Sequence, residues 1–100
     1  MINENTLNFI RFSSSFKRKK KEELEAFAEN EIFELNEYNA SEGTQGKYFY
    51  TLKDVNTNGT LKSYIIECLK LSLQTRWGNN LEYHIDRKTK YLNKLTGMQA

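Results

Sequence analysis

The sequence predicts an α+β fold in which a long amphipathic helix packs on a small antiparallel sheet and beside a second helix. The long helix is indicated by apolar residues at steps of three and four in residues 16–38, because that spacing places side chains on one helical face. The aromatic and β-branched segment 47–55 indicates a strand. An apolar stripe in residues 60–77 indicates the second helix.

The long helix, residues 16–38, is expected to supply much of the core. Its apolar stripe consists of Leu24, Phe27, Ala28, Ile32, Leu35 and Tyr38. Ser15 is the expected N-cap, since its hydroxyl can accept from free backbone N–H groups. Bases fill the first turn, residues 17–21, where the helix macrodipole favours acids. In an alternative interpretation the helix ends near Asn30 and residues 31–38 form a strand.

Two segments before the second helix are expected to form strands of the sheet. Residues 6–12 alternate between two faces and predict a short strand, with a helical turn as the alternative. In residues 47–55, Tyr48, Tyr50 and Leu52 share one face of the predicted strand.

Residues 60–77 fit a helix better than a strand, because the helix has a signal at each end. Thr60 is the expected N-cap and Gly78 the residue that ends the helix. Leu61, Tyr64, Ile65, Cys68, Leu69 and Leu73 would form the apolar face. Ser63, Glu67, Lys70 and Gln74 would form the opposite, polar face.

The last segment has two readings. Residues 81–85 alternate as a strand would, and a helical turn at residues 88–95 would follow. In the alternative, Asn80 caps a helix that Gly97 ends. That helix would carry Leu81, Ile85, Leu92 and Leu95 on one face.

Length and composition predict one domain, residues 1–100, without enzymatic activity or cofactor. Cys68 is the only cysteine, so no internal disulfide can form, and a reducing compartment is expected. The sequence shows neither an apolar run of membrane-spanning length nor a secretory signal, and the expected location is the cytoplasm.

Charge is distributed in three blocks although the net charge is only +2. Residues 1–21 hold six bases and one acid, and residues 22–46 hold eight glutamates without a base. Residues 47–100 hold nine bases and four acids. This order is typical of a solvated surface of mixed charge; in the alternative interpretation it predicts two faces of opposite sign, one for each of two kinds of partner.

The acidic block favours a small regulator or inhibitor that binds a protein with a basic surface. The expected binding residues are Glu29, Glu31, Glu34, Glu37 and Glu42. The Asn- and Lys-rich composition and small size are compatible with an origin in a phage or mobile element. No membrane partner is expected.

The basic run favours an alternative function, the binding of nucleic acid. Its residues, Lys17, Arg18, Lys19, Lys20 and Lys21, would contact phosphates. Aromatic side chains would offer stacking platforms beside the run, and the candidates are Tyr48, Phe49, Tyr50, Tyr64, Trp77 and Tyr83.

Residues 54–61, DVNTNGTL, resemble the first eight residues of an EF-hand or dockerin calcium loop. The resemblance implies that Asp54, Asn56 and Asn58 supply ligand oxygens. Ile65 stands where the family has a bidentate acid, and only one formal negative charge remains. We therefore predict a polar turn that caps the following helix, and no metal site.

Two further groups of side chains are candidates for metal binding or catalysis. Glu82, His84 and Asp86 would share one face of the predicted strand, as a metal site or an acid–base site requires. An ordinary half-exposed strand shows the same alternation. Cys68 lies on the apolar face of the second helix, which is typical of a buried thiol.

Overall fold

The computed structural model describes residues 1–41, 49–72 and 81–97, and these residues form helices and connecting segments without a β-strand. The four α-helices in this part of the chain are α1, Glu4–Ser14; α2, Lys21–Ser41; α3, Gly59–Leu71; and α4, Leu81–Thr96. A short 3-10 helix, Leu52–Asn56, precedes α3. The predicted α+β class is therefore wrong, and no antiparallel sheet supports α2.

Helix α3 lies at the centre of the fold. Its buried residues include six consecutive positions, Tyr64, Ile65, Ile66, Glu67, Cys68 and Leu69. Six consecutive positions cover the whole circumference of a helix, because each turn takes 3.6 residues. Neighbours must therefore cover α3 on every side along this segment. Helix α4 packs most extensively against it, and α1, α2 and the 3-10 helix also contact it.

The N-terminal segment forms helix α1 instead of the predicted strand. The Asn3 side chain caps the helix by accepting a hydrogen bond from the Thr6 backbone N–H at 2.8 Å. Leu7 and Ile10 point into the core from one face. A strand would have put Leu7 and Phe9 on the same face, yet Leu7 is fully buried and Phe9 is 52% exposed.

Helix α2 begins later and ends later than the sequence predicts. Ser15 is the C-cap of α1, with a left-handed φ of 68°, and does not cap α2. The helix continues through Asn30 to Ser41, so the alternative strand at 31–38 is also wrong. Leu24, Ala28, Ile32 and Leu35 are buried as predicted, Phe27 packs half-buried against the core, and Tyr38 is exposed.

The predicted strand at residues 47–55 is replaced by an extended stretch at 49–51 and the 3-10 helix. Asp54 stabilises this turn by accepting from the Thr51 backbone N–H at 2.8 Å. Val55 is fully buried, whereas an alternating strand would have needed several inward side chains. Residues 47 and 48 lie outside the described residues.

The second predicted helix is confirmed as α3 with different ends. Asn58 caps it by accepting from the Leu61 N–H at 3.0 Å, in place of Thr60. Residues 73–78 lie outside the described residues.

The strand predicted at 81–85 is wrong, because residues 81–96 form helix α4, as in the helical alternative. Of the face predicted for that helix, Leu95 is buried but Ile85 is 44% exposed, and the predicted cap Asn80 lies outside the described residues. Gly97 follows that helix with a φ of 74°, a left-handed conformation that glycine adopts without steric cost.

Candidate functional site

The exposed side of α2 carries a continuous acidic surface, which we define as Glu22, Glu29, Glu34, Glu37 and the side chain of Phe33. The four glutamates are exposed, and Lys21 at the helix start is the only base in α2. At 100° per residue these five side chains span less than half of the helix circumference, with Phe33 near the middle. Phe33 is 64% exposed, so a large apolar ring stands among carboxylates in solvent.

Glu31 does not belong to the acidic surface, although the sequence analysis grouped it with Glu29, Glu34 and Glu37. It is half-buried, and its carboxylate lies close enough to Tyr64 and Cys68 of α3 to raise their pKa values. Helical geometry explains the difference, because residue 31 lies about 160° around the helix from Phe33. Glu42 lies outside the described residues.

A second exposed phenylalanine lies beside the acidic surface. The Asn36 amide on α2 donates to the Tyr50 carbonyl at 2.8 Å and accepts from the Tyr50 N–H at 2.9 Å. This pair of hydrogen bonds fixes the extended stretch against α2, one turn after Phe33. Phe49, the residue before Tyr50, is exposed there.

The basic run does not form the first turn of α2 as predicted. Lys17, Arg18, Lys19 and Lys20 lie in the connection between α1 and α2, and only Lys21 is helical. The first turn of α2 instead carries Glu22 and Glu23, which the macrodipole favours. The connection is held at two points: Arg11 Nε donates to the Lys19 carbonyl at 3.0 Å, and Lys20 N–H donates to Glu23 at 3.2 Å.

Bases from this connection and from α3 lie over three phenylalanine rings, of which Phe9 and Phe12 are exposed and Phe16 is half-buried. Lys17 Nζ is 5.7 Å from the ring centre of Phe12, and Lys62 Nζ is 5.6 Å from that of Phe9. Lys19 Nζ is 4.9 Å from the ring centre of Phe16. These cation–π pairs hold positive charge beside apolar rings on one side of the molecule. Among the aromatics predicted as stacking platforms, Tyr83 and Phe49 are exposed and Tyr64 is buried, whereas Tyr48 and Trp77 lie outside the described residues.

A buried carboxylate, Glu67 of α3, is the centre of a cluster of polar side chains, although the sequence predicts this residue on the exposed polar face. Glu67 is only 2% exposed. Its Oε1 lies 2.7 Å from Nδ1 of His84, and its Oε2 accepts from Arg87 Nε at 3.2 Å. Lys70 Nζ is 3.8 Å from the same Oε2. The hydrogen bond to Glu67 raises the pKa of Arg87 above its ordinary value.

This cluster connects α4 to α3. His84 and Arg87 are three residues apart, so both project from the same side of α4 towards Glu67. Arg87 also donates to the Tyr91 hydroxyl at 2.7 Å, which fixes the guanidinium orientation. A helical reading of residues 81–96 would have placed His84 and Arg87 on one face, and that pairing was the available signal for an acidic partner.

The structure does not bring the predicted Glu82, His84 and Asp86 together on one face. Because α4 is a helix, two residues that are two positions apart lie about 200° from each other around the helix axis. His84 is buried against Glu67, whereas Glu82 and Asp86 are exposed. The geometry required of a metal or acid–base trio is therefore absent.

Asp54, Asn56 and Asn58, the side chains that would supply calcium ligands, each accept a hydrogen bond from a backbone N–H. Asp54 and Asn58 cap the 3-10 helix and α3, respectively. The Asn56 side chain accepts from the Asn3 N–H at 2.8 Å and donates to the Met1 carbonyl at 2.9 Å. The loop thus anchors the N-terminus and starts α3.

Cys68 is buried beside Tyr64 on α3. Burial raises the pKa of the Cys68 thiol to about 12, and the Glu31 carboxylate adds to the rise. Burial likewise raises the pKa of the Tyr64 phenol. A thiol that stays protonated is a poor nucleophile, so this cysteine serves the core.

A scan of protein-family models found no match to this chain, and comparisons with curated proteins and with solved structures found none either. Within residues 1–41, 49–72 and 81–97, no helix is long and apolar enough to cross a bilayer. The same residues contain no group of three or more His, Cys, Asp or Glu side chains arranged to hold a metal ion. Function is therefore inferred from the side chains themselves.

We expect Glu67→Gln to lower the free energy of unfolding by about 1–3 kcal/mol, because hydrogen bonds to a charged group are lost in the interior. Urea denaturation measures the change. Glu82→Gln is the matched control, since Glu82 is exposed on α4, and its effect should stay within about 0.5 kcal/mol. A Glu67→Gln protein as stable as wild type would contradict the role assigned to the cluster.

The raised pKa of Cys68 predicts a loss of stability at alkaline pH. The thiol of the unfolded chain ionises near pH 9.0, whereas the folded thiol ionises near pH 12. The stabilisation is therefore complete below pH 9 and is lost as pH rises through this window. Between about pH 8 and about pH 10, wild type should lose about 1.4 kcal/mol more than Cys68→Ala.

Urea denaturation of both proteins at the two pH values measures this difference. The effect of every other ionising group largely cancels, because the two proteins share those groups. Equal pH dependence of the two proteins would show that Cys68 is not protected by burial.

Proposed function

We propose that this protein acts without catalysis, by binding another protein through the acidic surface of α2. One observation carries the proposal: Phe33 is 64% exposed on a helical face that holds five exposed glutamates, the four of the acidic surface and Glu23. A folded chain gains nothing from exposing a phenylalanine there, whereas burial of the ring against a partner removes apolar area from water.

The arrangement resembles the energetic pattern of protein interfaces. Aromatic side chains often supply most of the binding energy, and a surrounding polar rim determines partner choice. Phe33 would be the anchor and the glutamates the rim. Phe49 adds a second ring, held one helical turn away by the Asn36–Tyr50 hydrogen bonds.

The charge of this surface defines the partner. Glu22, Glu29, Glu34 and Glu37 are not balanced by any base on the same face of α2, so a complementary surface is basic. Opposite charges steer encounter and raise the association rate, an effect that salt screens. The helix is about 30 Å long, which is enough to cover a standard interface groove.

Cys68 and His84, the candidate nucleophile and base, are both buried, which supports a role in binding. His84, the only histidine, is buried against Glu67. Burial raises the pKa of the Cys68 thiol to about 12. A single reduced cysteine also fits our proposal that the protein works in the cytoplasm, as a regulator or inhibitor.

We expect Phe33→Ala, and separately the triple change Glu29→Lys, Glu34→Lys and Glu37→Lys, to abolish partner binding without unfolding the chain. Affinity capture from a lysate of the source cells, with quantitative mass spectrometry, provides the measurement. Recovery of true partners should fall at least about fivefold in each variant. Glu31 is left unchanged because it packs against α3.

Phe12→Ala is the matched control, because Phe12 is an equally exposed phenylalanine on α1. The Phe12→Ala protein should capture the same partners as wild type. These partners should remain bound after nuclease treatment and should have basic surfaces. The proposal is overturned if Phe33→Ala retains every captured protein, if Phe12→Ala loses the same ones, or if nuclease releases all of them.

A further inference from the structure

We propose that a second surface, on the basic side of the molecule, binds single-stranded nucleic acid. We define this basic aromatic surface by Phe9, Phe12 and Tyr83 and by the bases beside them, Lys17, Arg18, Lys19, Lys62, Lys70 and Arg87. It is built from α1, the connection after it, α3 and α4. It does not depend on the acidic surface proposed above.

Three exposed aromatic rings provide stacking platforms. Phe12 is 70% exposed, Tyr83 is 57% exposed and Phe9 is 52% exposed. Each ring lies beside a cation: Lys17 at 5.7 Å, Arg87 at 5.5 Å and Lys62 at 5.6 Å from the respective ring centres. A nucleotide offers both a flat base for the ring and a phosphate for the cation, so it matches each pair.

Two clefts make the surface continuous. Phe9 and Ser13 of α1 line a cleft of about 180 Å³ together with Lys70 and Arg87. Through Arg87 this cleft leads to Tyr83, since the guanidinium lies over that ring. Phe12 is one helical turn from Phe9, and Lys17 leads from it into the second cleft.

The second cleft is larger and strongly basic. Its volume is about 540 Å³, and its lining includes Phe16, Lys17, Arg18 and Lys19. Five bases and two acids, Glu23 and Glu67, line the two clefts, and a sixth base, Lys62, lies over the Phe9 ring. Glu67 is buried and Glu23 is the exposed acid of the two, so bases outnumber acids at the surface of the clefts.

The exposed rings select a single strand over a duplex. Bases in a duplex already stack on each other, and their flat faces are closed to a protein side chain. An unpaired strand can place successive bases on Phe12 and Phe9 while its backbone follows the lysines. Each ammonium then moves from the ring towards a phosphate and releases a counterion.

Fluorescence anisotropy of labelled oligo-dT and oligo-U strands of about 12 nucleotides, titrated with the full chain, tests the proposal. We expect Phe12→Ala to weaken binding at least about fivefold, because a stacking partner is lost. Phe12→Trp keeps an aromatic platform and should stay within about twofold. Phe33→Ala, an exposed phenylalanine on the acidic surface, is the matched control and should leave the affinity unchanged.

The charges are tested through the dependence of binding on salt. Lys17→Gln combined with Lys62→Gln should reduce the slope of log affinity against log salt by about 1.4, since each phosphate contact contributes about 0.7 for a single strand. These side chains lie at the surface, and circular dichroism checks that every variant keeps its helices. A salt slope unchanged by this double variant counts against the proposal.

Other outcomes identify other occupants and overturn the proposal. Tighter binding of a duplex of the same length would point to groove or backbone recognition. Binding to phosphatidylserine vesicles but not to either strand would assign the surface to a membrane. Absence of strand binding at about 50 mM salt, or equal losses in Phe12→Ala and Phe33→Ala, would also refute it. None of these results affects the acidic surface, which is tested by protein capture after nuclease treatment.

Discussion

Burial of α3 on all sides is the constraint on which the rest of the structure depends. Positions 64–69 leave no side of the helix open to water, so the charged residue among them must be neutralised inside the protein. Glu67 meets that requirement through His84 and Arg87 of α4. The position of α4 is therefore set by an ionic contact as well as by apolar packing.

The distribution of charge follows from which helix each block occupies. The acidic block forms α2, whose apolar stripe turns inward and whose glutamates, apart from half-buried Glu31 and Glu25, face solvent. The bases at 17–20 fall in a connection and reach the clefts beside α1. Two surfaces of opposite sign thus arise from local sequence order, and exposed phenylalanines occur on both.

The sequence predicts α2 and α3 as helices and misassigns α1 and the first part of α4 as strands. Leu24, Ala28, Ile32 and Leu35 recur with an unmistakable helical spacing, and α3 has a capping signal near its start. In residues 6–12 and 81–85 the apparent alternation depends on Phe9 and Tyr83. A strand interpretation places these aromatic side chains in the core, whereas both are exposed on helices. Their burial depends on tertiary neighbours that no local pattern specifies.

The same reasoning explains the outcome for the candidate sites. Glu29, Glu34 and Glu37 were recognisable because a long helix leaves its polar residues outside. Glu31 could have been set apart from them, because it lies three residues after Ala28 and four before Leu35, at the edge of the apolar stripe. The burial of Glu67 required knowledge that α4 covers that side. The cation–π pairs of Lys17 with Phe12 and of Lys62 with Phe9 join residues from different elements. Residue spacing along the chain therefore does not predict them.

Hydrogen exchange of backbone amides, followed by NMR, tests the central position of α3 most directly. If α3 is the core helix, the amides of Ile65, Ile66 and Leu69 exchange only through global unfolding and are the slowest in the protein. Their exchange free energies should then equal the free energy of unfolding from urea denaturation. Exchange of these amides as fast as that of amides on the solvent side of α2 would contradict the account.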